Sequence, residues 1–280
     1  MTDAQRAKAA RLLELHRPGR PLVLVNAWDA ASARIVEDSG LPAVATSSAG
    51  IAFAYGYPDG QKIPMELMLE AVGRICRAVS VPVTADFEAG YGASSDAVGR
   101  AAAGAFAAGA VGLNLEDGTG APERQLDNPE LMCEKIHAIR DAGAAAGVPA
   151  VINARTDVYL DQVGPPEGRM EEAIRRGKLY RAAGADCIFV PGVTEKAVIE
   201  TLVVELSCPV NVLAVAGSLS VAALSEAGVA RISLGSGPMR AALTLLQRMI
   251  REVSTQGTFR ELEGIISHAS FNETLRRRLP

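Results

Sequence analysis

The sequence predicts an α/β fold, a (β/α)8 TIM-type barrel with extra C-terminal helices, and three observations carry that expectation. Eight short runs rich in Val, Ile, Leu and Ala, mostly uncharged, recur along the chain. Segments with helical periodicity and recognisable start signals separate them, an alternation that implies βαβ crossovers and a parallel sheet buried on both faces. The length of 280 residues suits a barrel, which takes roughly 250 residues as one domain.

The elements follow in order. An Ala/Leu-rich opening with Asp3, Arg6, Lys8 and Arg11 spread along it predicts an amphipathic helix and lacks the apolar core of a signal peptide. The strands are expected at Leu22–Asn26, Ala43–Ser47, around Val83, Gly112–Glu116, Ala150–Arg155, Cys187–Val190, Val210–Ala214 and Val229–Gly235. Helix starts are signalled by Pro64 before Met65-Glu66, by Ser94-Ser95-Asp96, Asn128-Pro129-Glu130, Thr194-Glu195, and Ser218 or Ser220. Pro238 to Pro280 is more chain than one closing helix needs. The expected division is a barrel over residues 1–240 and a C-terminal helical segment over 241–280.

Composition narrows the function classes. Hydrophobic residues make up 49%, enough for a substantial core. A formal net charge of −4 and a pI near 5.6 argue against nucleic-acid partners. The longest uncharged apolar stretch, Ala101 to Leu113, contains Gly104, Gly109 and Gly112 and falls short of the ~20 residues of a membrane span. The protein is expected in the cytoplasm, without membrane or nucleic-acid partners. Cys76, Cys133, Cys187 and Cys208 have no C-x-x-C spacing, which suggests neither zinc nor a disulfide framework. His16, His137 and His268 all fall in helix-like segments, so a His-based mechanism is not expected.

The most informative stretch is Val81-Pro-Val-Thr-Ala-Asp86-Phe-Glu88-Ala-Gly90-Tyr91-Gly92. An apolar run ends in two carboxylates two residues apart, a spacing that on a strand points both to one face. Adjacent acids repel unless a cation separates them, and hard cations such as Mg2+ take oxygen ligands; ordinary acids at a solvated strand end are the plain alternative. In a barrel the active site forms at the C-terminal ends of the strands, and those ends are polar here. They include Asn26, Trp28, Ser47, Ser48, Asp86, Glu88, Asn114, Glu116, Arg155, Asp157, Asn211 and Ser233. Acids from several strands with one arginine suit a divalent cation holding an anionic substrate against a guanidinium. Arg155 could equally be a structural partner of Asp157 or Glu116. The loops Ala216-Gly217-Ser218 and Gly235-Ser236-Gly237 give a weak phosphate-cradle signal.

These motifs carry a resemblance. Asn26-Ala-Trp-Asp-Ala-Ala-Ser-Ala-Arg34, Thr46-Ser-Ser-Ala-Gly50, Gly56-Tyr-Pro-Asp59-Gly60, Thr84 to Gly92, Gly112 to Asp117, Asn153-Ala-Arg155-Thr-Asp157 and Pro209-Val-Asn211-Val resemble, in order, the isocitrate lyase/phosphoenolpyruvate mutase superfamily over Pro21 to Arg240. The resemblance implies a barrel whose last helix is swapped in a homodimer or homotetramer. It implies Mg2+, with Mn2+ the alternative, held directly by Asp86 and mostly through water by Asp59, Glu88 and Glu116. Ser47, Ser48, Ala49 and Gly50 then hold the substrate carboxylate, with Trp28, Asp86, Arg155 and Asn211 completing the pocket. Members make or break a C–C or P–C bond next to a small 2-oxo or 2-hydroxy acid.

One loop departs from the family pattern. Lyases of isocitrate and methylisocitrate carry Lys-Lys/Arg-Cys-Gly-His after the fourth strand; this chain has Asp117-Gly-Thr-Gly-Ala-Pro-Glu123-Arg124-Gln-Leu-Asp127. The expected catalytic set is therefore Arg155, Glu116, Glu123 and Arg124, with Tyr55, Tyr57 and Tyr159 as further proton donors. Asn128, the only asparagine near the position where mutases contact a phosphoryl group, reads as a helix cap. The expected activity is Mg2+-dependent C–C cleavage of a small 2-oxo or 2-hydroxy (di)carboxylic acid through an enolate. C–P chemistry on phosphonopyruvate or carboxyphosphonoenolpyruvate, and 2-oxo-acid binding with little turnover, are the alternatives.

Overall fold

A computed structural model describes residues 3–121 and 124–276, without the side chains of Ala121 and Arg124. Helix α1 (Asp3–Glu14) precedes β1 (Leu22–Leu24) and β2 (Asn26–Ala27), two pieces of one strand interrupted at Val25. Then follow α2 (Ala30–Asp38), β3 (Val44–Thr46), α3 (Ser48–Ala54), α4 (Met65–Ala78), β4 (Val83–Asp86), α5 (Ser95–Ala107) and β5 (Gly112–Glu116). A hairpin of β6 (Gly118–Ala121) and β7 (Arg124–Leu126) leads to α6 (Pro129–Ala145), β8 (Val151–Arg155), α7 (Arg169–Ala182), β9 (Cys187–Phe189), α8 (Lys196–Leu206) and β10 (Val210–Leu213). The chain ends with α9 (Val221–Glu226), β11 (Arg231–Ser233), α10 (Gly237–Gln256) and α11 (His268–Arg276).

Every pairing in the main sheet is parallel, in the order β1-β11-β10-β9-β8-β5-β4-β3-β2. Because β1 pairs with β11 and β2, its continuation, pairs with β3, the ring closes as an eight-stave barrel. All eight expected strands are present. The antiparallel β6–β7 hairpin was not expected; its Gly- and Pro-containing sequence carries no alternation of apolar and polar residues.

Apolar side chains fill the space between strands and helices. Phe87, Phe106, Leu113, Leu115, Ile139 and Ile152 are buried, as expected of a parallel sheet covered on both faces. Leu12 of α1 lies against the N-terminal end of β5, where a Cβ on Gly112 would come within 2.8 Å of Leu12 Cδ2. Gln5 donates to the carbonyls of Phe106 (2.7 Å) and Ala110 (3.2 Å). Helix α1 thus covers the N-terminal end of the barrel, and truncating Leu12 to Ala is expected to cost about 2–5 kcal/mol.

The barrel interior is unusually polar. Asp86, Asn114, Asn153 and Cys187 lie side by side in register across β4, β5, β8 and β9. Arg231, fully buried, enters from β11.

Helix α10 runs without interruption across residues 240 and 241. Leu246, Ile250 and Val253 on α10, and Phe259 beyond it, are exposed. Arg34 of α2, buried and paired with Glu37 (2.5 Å) and Asp38 (3.0 Å), donates to the Thr274 carbonyl and ties α11 to α2. No described helix is long and apolar enough to cross a membrane. All four cysteines are free thiols.

Candidate active site

The C-terminal ends of the strands surround a cavity of about 130 Å3. Its polar wall includes Ser47, Ser48, Asp59, Asp86, Asn114 and Arg155; Leu160, Phe189, Pro191 and Leu213 make an apolar side.

Asp86 ends β4 and is tightly oriented. Its Oδ2 accepts from the Ser48 amide (3.1 Å) and hydroxyl (2.7 Å), and its Oδ1 accepts from Asn114 Nδ2 at 3.3 Å. Its backbone N–H donates to Thr46 Oγ1. Ser47 caps α3, its Oγ accepting from Gly50 N at 3.1 Å. The strand-to-helix turn Ser47-Ser48-Ala49 therefore stands beside Asp86 and lines the cavity.

Glu88 reaches this site differently from the strand argument. The strand stops at Asp86, Phe87 turns into the core, and Glu88 takes a left-handed backbone (φ 49°) that non-glycine residues rarely adopt. Two-residue alternation therefore does not place it. Its buried carboxylate is held by Gln61 N (2.5 Å) and Tyr91 OH (3.1 Å). Burial, with the negative charges of Asp86 and Asp59, pushes its pKa up to about 7. Asp59 is likewise raised, by burial first and in part by Asp86.

Asp86 and Asp59 raise the pKa of Glu88, and Asp86 raises that of Asp59; a cluster of hard oxygen donors of this kind suits a small divalent cation. Among the described residues no three His, Cys, Asp or Glu side chains form a ready-made cage.

Arg155 ends β8 and is gripped on both sides. Its Nε (2.5 Å) and Nη2 (3.0 Å) meet Asp157, and its Nη1 meets Glu116 Oε2 at 2.6 Å. The guanidinium also lies 5.9 Å from the centre of the Phe189 ring. Burial alone would lower its pKa, but Glu116 and Asp157 outweigh burial and raise it. Burial holds Asp157 up at about 6 despite Arg155. Arg155 is thus both a cavity wall and the structural partner of two acids, and the sequence had left those roles as alternatives.

Behind this pair lies a network whose partners on α7, Arg176 and Tyr180, no motif marks. Asp117, fully buried, accepts from Asp157 N (2.9 Å), Tyr180 OH (2.6 Å) and Arg176 Nη1 (3.0 Å). Asp127 pairs with buried Lys135 at 2.6 Å, and its amide donates to the Asp117 carbonyl. Both stems of the β6–β7 hairpin are therefore pinned.

The other expected site residues fall at varied distances from the cavity. Glu116 and Glu88 are not among the wall residues; Glu116 meets the wall through Arg155. Trp28 packs beside Gly50, where an added Cβ would lie 3.0 Å from Trp28 Cβ. Asn211 is one layer below, exchanging hydrogen bonds with Ser233, which lines the cavity. Asn26 ties Thr46 O to Leu234 N and Gly235 N. Asn128 caps α6 through Glu130 N, as its sequence context predicts. Glu123 lies outside the described residues, as does the Arg124 side chain. Tyr55, Tyr57 and Tyr159 are absent from the described cavity wall.

Comparison with known proteins decides the family. The sequence model described as phosphoenolpyruvate phosphomutase matches residues 12–254. The chain belongs to the isocitrate lyase/phosphoenolpyruvate mutase superfamily. It is 31% identical to the 2-methylisocitrate lyase of Escherichia coli K12, over 66% of this chain and 66% of that one. The crystal structure of a lyase/mutase candidate from Burkholderia cenocepacia J2315 superposes with a TM-score of 0.90 at 34% identity, covering 97% and 96%. A phosphonopyruvate hydrolase solved with oxalate and Mg2+ superposes with a TM-score of 0.82 at 25% identity, covering 99% and 96%.

Proposed function

We propose that the chain is an Mg2+-dependent lyase-type enzyme that cleaves a C–C bond next to the keto or hydroxy group of a small 2-oxo or 2-hydroxy (di)carboxylic acid, such as oxaloacetate. The observation that carries this reading is Asp86, presented on the cavity wall by three hydrogen bonds with Asp59 and Glu88 around it and Arg155 on the same cavity. A bound Mg2+, or Mn2+ in its place, would polarise the 2-oxo group and stabilise negative charge developing there. Asp86 would hold it directly, with Asp59, Glu88 and Glu116 acting through water.

The chain's own residues do the rest. The Ser47–Gly50 turn is the segment we assign to the substrate carboxylate; its Ser48 donors are held by Asp86 and its Gly50 amide by Ser47, which leaves the Ser47 hydroxyl proton and the Ala49 amide to serve it. Arg155, locked by Asp157 and Glu116, keeps its charge at neutral pH and adds a fixed positive field without reorganising. Leu160, Phe189, Pro191 and Leu213 exclude water, which strengthens both interactions. The β6–β7 segment is the one we assign to closing the site, with Glu123 and Arg124 of that stretch of sequence as acid–base candidates.

C–P cleavage is the second reading. The Asn128 side chain, occupied as the α6 cap, does not favour it. The exposed apolar residues of α10 lead us to propose that residues 241–280 pack on a second copy as a homodimer or homotetramer. Four free thiols agree with a cytoplasmic location.

The test is turnover of purified protein with oxaloacetate, 2-methylisocitrate, 2,3-dimethylmalate and phosphonopyruvate, with and without Mg2+. Mg2+-dependent pyruvate release from a carbon substrate supports the proposal. Phosphate release from phosphonopyruvate alone transfers the assignment to C–P chemistry. No turnover together with Mg2+-dependent binding leaves a 2-oxo-acid-binding protein.

A further inference from the structure

Arg231 heads the largest fully buried side chains among the described residues, and from β11 it reaches Asn114 inside the barrel. Among the described residues it forms no ion pair. Its Nη2 donates to Asn114 Oδ1 at 3.0 Å, and its Nη1 lies 3.5 Å from His16 Nε2. A buried charge without an acid partner is expensive, and the Arg231 Nε has no hydrogen-bond partner.

The geometry around it is directional. A guanidinium can only donate hydrogen bonds, and an ionised carboxylate can only accept them. An asparagine amide between the two has one arrangement that satisfies both. In that arrangement its oxygen faces the guanidinium and its NH2 faces the acid. Asn114 adopts it, accepting from Arg231 at 3.0 Å and donating to Asp86 Oδ1 at 3.3 Å. Asn153 Nδ2 also donates to Asn114 Oδ1, at 2.9 Å; being an amide whose own Oδ1 has no protein partner, it can present either end there, whereas Arg231 can only donate. On the opposite side, His16 Nδ1 lies 2.8 Å from the Leu12 carbonyl, which makes Nδ1 the N–H donor and leaves Nε2 to face Arg231 as an acceptor. Burial, and then Arg231, lower the His16 pKa to about 4, in keeping with a neutral ring.

We propose that Arg231 is a positioning residue for the cation site: backed by His16, it donates to Asn114 and so sets the direction of a hydrogen-bond relay that starts at its own guanidinium and ends on Asp86. The inference rests on the proposed role of Asp86 in holding a divalent cation. It adds that a fully buried residue outside the cavity wall helps to aim that carboxylate.

The test measures Mn2+ affinity directly, by electron paramagnetic resonance or calorimetry, on wild-type protein and on Arg231→Lys, Arg231→Gln and Arg231→Met. Outer-shell partners of metal ligands are typically worth 10- to 100-fold in affinity. Arg231→Met, which removes the donor while keeping the bulk, is expected to weaken Mn2+ binding about tenfold or more. Arg231→Gln, which can present either end of its amide, is expected to weaken it less. Arg231→Lys, again donor-only, is expected to restore most of the wild-type affinity. A merely structural role would instead rank the variants by thermal stability, and lysine would give no rescue of affinity. Should Arg231→Met fail to fold, the Lys and Gln variants decide. Equal Mn2+ affinity in the folded variants overturns the relay while leaving the metal site standing. A wild-type chain that binds no Mn2+ overturns the metal reading and the relay with it.

Discussion

The buried Asp117–Arg176 pair yields the sharpest energetic prediction. Asp117 is fully buried and accepts three hydrogen bonds, one of them from Arg176 at 3.0 Å and one from Tyr180 at 2.6 Å. Breaking a buried ion pair by removing one partner typically costs about 3–5 kcal/mol, because the other charge is left behind. Here Arg176 keeps a second acid, Glu172 at 2.7 Å, and the carbonyl of Asp127 at 2.9 Å. Asp117→Leu is therefore expected at the low end, about 3 kcal/mol. For a chain of this size each kcal/mol shifts the midpoint by roughly 2–4 °C, so thermal unfolding followed by circular dichroism should show a fall of about 6–12 °C. The double variant Asp117→Leu/Arg176→Met removes both charges. It should recover much of that loss, with a coupling energy of about 1–3 kcal/mol. A single variant within about 2 °C of wild type, or a double variant whose loss equals the sum of the singles, would show that the pair does not carry the hairpin stems.

Three further outcomes are expected. His16, held neutral with a pKa near 4 against an ordinary 6.5, contributes stability that is fully present above pH 6.5 and lost as the pH falls towards 4. The wild type should therefore lose up to about 3 kcal/mol relative to His16→Gln across that window, in denaturant titrations at fixed pH. Gly118→Ala would place a Cβ 2.5 Å from Asp157 Oδ2, displacing the acid that grips Arg155. It should cost about 1–3 kcal/mol and depress kcat, whereas an unchanged kcat would separate Arg155 from catalysis. Ile250→Glu on the exposed face of α10 should convert the proposed oligomer to monomer by light scattering. An assembly that survives the substitution would place the interface elsewhere.

The barrel was legible because its signals are local. Short β-branched runs bounded by glycine or proline mark the strands, and Pro64, Ser94, Asn128 and Ser220 stand as N-caps at α4, α5, α6 and α9. Asp86, Asn114 and Arg155 were legible because strand ends converge in this fold. Glu88 was expected at the acid cluster, but for the wrong reason: it arrives through a left-handed turn rather than strand alternation. The Asp117–Arg176–Tyr180 network and the Arg231 relay were not legible. Their members lie 59, 63 and 117 positions apart, and nothing local distinguishes Arg231 in Val-Ala-Arg-Ile-Ser from a surface arginine. His16 looked like part of a helix and is instead a buried group under the barrel.

The most direct test of the central claim is calorimetry of oxalate, a planar mimic of the enolate of a 2-oxo acid, titrated into wild type and Asp86→Ala with and without Mg2+. The predicted result is binding to the wild type only when Mg2+ is present, and none to Asp86→Ala under either condition. Oxalate binding that ignores Mg2+, or that survives the loss of the Asp86 carboxylate, would contradict a cation-centred site.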